Sequence, residues 1–108
     1  MDITPLVPIG KNLITAYKDD YVVINGKKYY APIIISPNQL ILNATDFKQF
    51  DELEIKSEIL LIGHHLKQMR VNNIQAETMS FGAACRTYNI LLTEGRQVAC
   101  FLMQHIKE

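Results

Sequence analysis

The chain has 108 residues, 48% apolar and 20% charged, which supplies enough apolar mass for a packed core and argues against a disordered polymer. At this length somewhat over ~60% of the unfolded surface should be buried, so one domain over residues 1–108 is expected. Eleven basic and eleven acidic residues cancel. Without a basic excess there is no general attraction to phosphate backbones or anionic lipid, and nucleic acid is not an expected partner.

Cys85 and Cys100 have no CxxC or metal-finger spacing, and no apolar leader precedes the first polar residues. A reduced thiol pair in the cytoplasm is the expectation. The runs "PIIIS" and "EILLIG" have about five apolar residues against the ~20 that cross a bilayer, so no membrane span is expected.

In chain order, "LITAY" (Leu13 to Tyr17) and "YVVI" (Tyr21 to Ile24) read as short strands. Asn25-Gly26 supplies the two positive-φ positions of a tight hairpin turn. The return arm "KKYYAPIIIS" is β-branched and aromatic, and Pro32 within it predicts a bend or an edge. Asn43 or Thr45 is placed to cap a short helix over Asp46 to Leu53, with Phe47, Phe50 and Leu53 three apart. "EILLIG" has no alternation from Ile59 to Ile62, as a central strand buried on both faces would, and Gly63 is expected to end it. "HLKQMRV" suggests one or two helical turns, "NIQAETM" another strand, and Ala83 to Glu94 the main helix, with Gly95 as its left-handed cap. "QVACFLM" reads as the last strand. Strand and helix alternate through the second half, which predicts an α/β fold with a mixed or mostly parallel sheet covered by helices.

Within the main helix, Phe81, Ala84, Cys85, Tyr88, Leu91 and Leu92 form the buried stripe, while Arg86, Asn89 and Thr93 share another face. Arg86 is placed in the first turn, near unpaired backbone N–H groups, with the preceding strand expected to end near Glu77 or Thr78. Ligands of open α/β sheets gather beyond the carboxyl ends of strands, so a carboxylate or phosphate pocket fits this edge. A salt bridge from Arg86 to Glu77 or Glu94 is the structural alternative. Cys85, beside an arginine near a helix start, sits where a thiol pKa falls, yet its place on the buried stripe favours inert packing. Tyr88 and Asn89 fit either ligand hydrogen bonds or satisfied buried groups.

"GHH" (Gly63 to His65) follows the buried strand and raises a metal reading. Neighbouring residues of an extended chain point to opposite sides, and no third ligand recurs at a known spacing, so loop histidines are the preferred reading. There is no Ser–His–Asp order, Gly-rich phosphate loop or dinucleotide fingerprint. No catalytic residue, metal or cofactor is therefore expected. The binding candidates are Glu77, Arg86, Thr87, Asn89 and His64.

The string E-x-M-x-x-x-A-A-C-R-T-Y-N-x-L-x-x-E-G-R-x-V-A, from Glu77 to Ala99, closely resembles a small family of uncharacterised proteins founded on a methanogen structural-genomics target. Its eukaryotic relatives include a mitochondrial respiratory complex I assembly factor and an adipogenesis-associated protein. The resemblance continues, more weakly, from "LITAY" through "EILLIG". It implies a three-layer α/β domain with a mixed central sheet flanked by helices and an N-terminal β-hairpin layer, and no settled enzymatic activity. The family's recurrent residues fall on Glu77, Met79, Ala84, Cys85, Arg86, Thr87, Tyr88, Asn89, Glu94, Gly95 and Arg96. Where the family commonly has Gly-Thr-Gly this chain has Gly63-His64-His65, and the segment that follows is shorter by around two helical turns, which implies a more open cleft.

Two functions are compatible with these features. One is a non-enzymatic interaction or assembly-type module whose Arg86/Asn89 face meets a protein, with Tyr29, Tyr30 and Met69 as further contact candidates. The other is a binder or enzyme for a small anionic ligand, in which Arg86 clamps the anion, Glu77 acts as acid or base, and Cys85 or Tyr88 assists. Neither reading specifies an oligomeric state.

Overall fold

In the computed structural model the described residues are 10–45, 49, 58–64 and 76–103. They form eight strands and one helix: β1 (Ile14–Tyr17), β2 (Tyr21–Ile24), β3 (Lys27–Tyr30), β4 (Ile33–Ile35), β5 (Leu40–Leu42), β6 (Ile59–His64), β7 (Glu77–Ser80), α1 (Phe81–Thr93) and β8 (Val98–Leu102). The helix expected over Asp46 to Leu53, the turns expected in "HLKQMRV" and the start of "NIQAETM" lie outside the described residues, as do His65, Met69 and His105.

The first sheet is antiparallel, in the order β1-β2-β3. Its β2–β3 hairpin turns on Asn25 (φ 50) and Gly26 (φ 86), as the Asn-Gly pair requires. Between Ile14 and Ala16 the β1–β2 register slips, which bends the strand at Thr15. Pro32 marks the passage between sheets: β3 belongs to the first, β4 to the second, and the Ala31–Pro32 peptide is cis.

The second sheet is five-stranded and mixed, in the order β5-β4-β8-β6-β7. Strands β6, β7 and β8 run parallel, while β4 is antiparallel to both β5 and β8. The period-two alternation of strands divides its residues between two apolar clusters. On the α1 side, Ile33, Ile35, Leu61, Val98, Cys100 and Leu102 pack with Phe81, Ala84, Cys85, Tyr88 and Leu92 of the helix and with Ile14, Val22 and Ile24 of the first sheet. Ile34, Ile62, Ala99 and Phe101 belong to the other cluster. All five residues of β8 are buried, which accounts for its unbroken apolar sequence.

Gly63 lies inside β6, which runs on to His64. The glycine is there for packing. A Cβ at this position would come within 2.7 Å of Ala84 Cβ, 3.1 Å of Leu102 Cδ2 and 3.3 Å of Phe81 Cα, so its absence lets α1 lie close against the strand.

The helix starts at Phe81, where its buried stripe begins, two residues before the expected boundary at Ala83. Ser80, extended at φ −61 and ψ 156, is its N-cap, and its Oγ accepts the Ala83 N–H at 3.3 Å. At the other end Gly95 (φ 77) donates to Leu92 and Arg96 to Leu91, a Schellman ending that matches the expected left-handed cap. Leu91, expected in the core, is half-buried and packs on its margin, whereas Leu92 is fully enclosed.

Candidate functional site

Two consecutive residues of the Arg-Thr-Tyr-Asn string are spent on the chain that leads into β1. Tyr88 has no exposed surface, and its hydroxyl donates to the Asn12 carbonyl at 2.7 Å. Asn89 Nδ2 donates to the Ile14 carbonyl at 2.6 Å, and the Ile14 N–H donates back to Asn89 Oδ1 at 3.0 Å. Asn12 in turn takes its N–H to Pro37 O and its amide to Ser36 O and Gln39 O. The helix thus binds the outer edge of β1, and through Asn12 the β4–β5 turn, with hydrogen bonds that apolar packing alone would leave unmade. The amide of Asn89 is occupied by these structural contacts.

With Ser80 as N-cap, Arg86 falls in the second turn of α1. Its side chain is exposed and donates to the Tyr17 hydroxyl, with the guanidinium carbon 6.0 Å from the Tyr17 ring centre. Neither Glu77 nor Glu94 pairs with it among the described residues, where the one ion pair joins Arg96 to Glu58 at 3.3 Å. A tyrosine takes the place expected for a carboxylate, and among the described residues no carboxylate pairs with Arg86. Gly82 makes room for this contact, because a Cβ there would stand 2.9 Å from Tyr17 Cε2 and 3.3 Å from both Tyr17 Oη and an Arg86 nitrogen.

Beside this contact is a concavity of ≈ 450 Å³ lined by Tyr17, Lys18, Asp19, Ser80, Phe81 and Gly82. It opens where β7 passes into α1, at the carboxyl end of the parallel strands, as open α/β sheets place their sites. Tyr17, Lys18, Ser80 and Gly82 were not singled out from the sequence; the turn after "LITAY" gives no local sign that it meets a helix start more than 60 residues later.

Glu77 lies elsewhere. It begins β7 rather than ending it, about 10 Å of strand from the helix start. It lines a second concavity of ≈ 350 Å³ with Glu58, Ile59, Leu60 and Ala76. Glu77, Arg86 and Asn89 therefore do not converge on one cleft. His64 is at the correct end of the sheet, in register with Ser80, but as a buried strand residue rather than a loop histidine. Thr87 is half-buried on α1.

The thiols are poorly placed for nucleophilic work. Burial pushes Cys85 up to about 12, overriding the neighbouring Arg86 charge that favours the thiolate. Cys100, fully buried, is also raised by burial, and the Tyr88 hydroxyl is raised for the same reason. Both cysteines are free.

The fold is shared with known proteins. Residues 14–103 match the model of a family described as a protein of unknown function (DUF498/DUF598). The chain belongs to this family. Among curated proteins, assembly factor 3 of the NADH dehydrogenase [ubiquinone] 1 alpha subcomplex from Bos taurus is 27% identical over 109 aligned residues, covering 83% of this chain and 59% of the relative. The Xenopus tropicalis protein of the same name gives 27% and covers 60% of its own length, so the chain spans about three fifths of these curated relatives. Among solved structures, a Bartonella henselae protein described as an outer membrane protein has a TM-score of 0.72 at 27% identity, covering 90% of this chain and 98% of that one. A Bordetella pertussis protein described as an Mth938-like domain has a TM-score of 0.68 at 21% identity, covering 96% and 92%, and shares the fold. No helix among the described residues is long and apolar enough to cross a membrane.

Proposed function

We propose that the chain is a non-enzymatic protein-interaction module of assembly type, and that the Tyr17–Arg86 concavity is its contact surface. One observation carries the reading: an exposed guanidinium, uncompensated by any carboxylate among the described residues, is held against a half-exposed tyrosine at the rim of a hollow. Arginine and tyrosine are the side chains that most often dominate protein interfaces, because they combine apolar area with directional hydrogen bonds. The likeness to assembly factor 3 supports a protein partner, and a role in respiratory-complex assembly is the finer form of the proposal. The free, buried thiols fit a reducing compartment such as the cytoplasm.

The test is quantitative affinity capture with wild-type and Arg86→Ala protein, each first shown to be folded by circular dichroism. Loss of the same specific proteins from the variant supports the reading; recovery of every wild-type partner at undiminished yield contradicts it.

A second reading is supported by the same hollow, where Lys18, the N-terminus of α1 and, through Tyr17, the neighbouring Arg86 set positive charge against the single carboxylate of Asp19. On this reading a small carboxylate or phosphate compound binds there. A thermal-shift screen with inorganic phosphate, citrate and nucleotides decides it: a ligand at ~100 times its dissociation constant adds about 2.7 kcal/mol, and a silent screen removes the reading.

A further inference from the structure

The free edge of the first sheet carries a different kind of site. The pair Asp20/Ala31 is hydrogen-bonded, with the Ala31 N–H donating to Asp20 O at 2.9 Å. The antiparallel register pairs Tyr21 with Tyr30, Val22 with Tyr29, Val23 with Lys28 and Ile24 with Lys27. Because hydrogen-bonded and non-hydrogen-bonded pairs alternate along such a ladder, the main-chain groups of Tyr29 and Lys27 face β2, while those of Lys28 and Tyr30 face outward. Among the described residues strand β3 is last in its sheet, so these outward groups have no strand neighbour there.

Its side chains are basic and aromatic. Lys27 and Lys28 are exposed and make no ion pair among the described residues. Each rests on tyrosine, Lys27 5.4 Å from the Tyr29 ring centre and Lys28 4.3 Å from that of Tyr21. Tyr30 is 61% exposed and meets Tyr21 at 5.9 Å between ring centres, with the rings tilted by 58°.

Edge lysines prevent a strand from pairing with another copy of itself, since the ammonium groups are brought together. The same charges favour an acidic strand. We propose that β3 is a docking edge for an extended acidic segment of a protein partner, which adds as a fourth strand through the main chain of Lys28 and Tyr30, with its carboxylates on the Lys28 face of the sheet and its apolar residues on the Tyr29 face. The proposal rests on the reading of the chain as an interaction module but uses another surface. Peptide binding here is unaffected by Arg86→Ala, so the two tests fail separately.

The probe is a fluorescein-labelled ten-residue peptide alternating glutamate with valine, compared with the same peptide carrying lysine for glutamate. The acidic peptide is expected to bind at least about tenfold more tightly, to lose much of that preference at high salt, and to slow hydrogen exchange at the Lys28 and Tyr30 amides of the wild-type chain while leaving Lys27 and Tyr29 unchanged. Lys27→Glu with Lys28→Glu should reverse the preference, and the milder Lys28→Gln should weaken the acidic peptide several-fold. Equal binding of the two peptides, unaltered exchange at Lys28 and Tyr30, or sedimentation showing that the edge pairs with a second copy overturns the proposal.

Discussion

Asn89 holds both main-chain groups of Ile14, accepting from its N–H at 3.0 Å and donating to its carbonyl at 2.6 Å. A side-chain amide here substitutes for the neighbouring strand that β1 lacks on its outer side, and so fastens the first sheet to the helix of the second layer.

Replacing Asn89 by alanine leaves two partly buried backbone groups without partners, which is expected to cost about 1–3 kcal/mol. Asn89→Asp keeps the acceptor and turns the donor into a carboxylate facing the Ile14 carbonyl, so it should be the more damaging change although it is the smaller one. Urea unfolding of both variants measures this. An aspartate as stable as wild type would mean that the Ile14 contact contributes nothing.

Gly63→Ala drives a methyl group into Ala84, Leu102 and the backbone of Phe81. Overpacking of this kind costs about 1–3 kcal/mol. Adding Ala84→Gly removes the nearest obstacle, at about 1 kcal/mol in helix propensity. The double variant is expected to be more stable than the sum of the two single losses, and strictly additive effects would show that the helix does not bear on Gly63.

The thiols give the pH dependence a sign. Cys85 is raised from 9.0 to about 12 in the folded chain, so the folded state retains a proton that the unfolded state releases. Stability from this group is fully present below about pH 9 and declines as the pH rises towards 12. Denaturant midpoints measured from pH 7 to 11 should be flat at first and then fall, with less fall in Cys85→Ala. Over the neutral range Cys85 should react with iodoacetamide far more slowly than a model thiol.

What was legible in the sequence was local. Asn25-Gly26 specified a turn, Gly95 a helix end, and the spacing from Phe81 to Leu92 a buried stripe, because each depends on dihedral preferences or periodicity within a few residues. The partners of the polar face were not legible: Asn89 meets Ile14 across 75 positions and Arg86 meets Tyr17 across 69. Their residue types allow a ligand, a salt bridge or a backbone contact equally well. A shift of three residues in the placing of β7 moved Glu77 from the helix start to the opposite end of the strand, and with it the expected convergence with Arg86. Gly63 was read as a strand terminator because glycine is sparse in strands, whereas its use here depends on a helix that arrives from later in the chain.

The most direct measurement uses Gly82→Ala beside Arg86→Ala. The added methyl displaces the mobile end of the Tyr17 side chain and so breaks the Arg86–Tyr17 contact while keeping both residues, with helix propensity favouring the variant by about 1 kcal/mol. In quantitative affinity capture, folded Gly82→Ala and folded Arg86→Ala protein are expected to lose the same partners. Full recovery of those partners by both variants would contradict the assignment of this concavity as the contact surface.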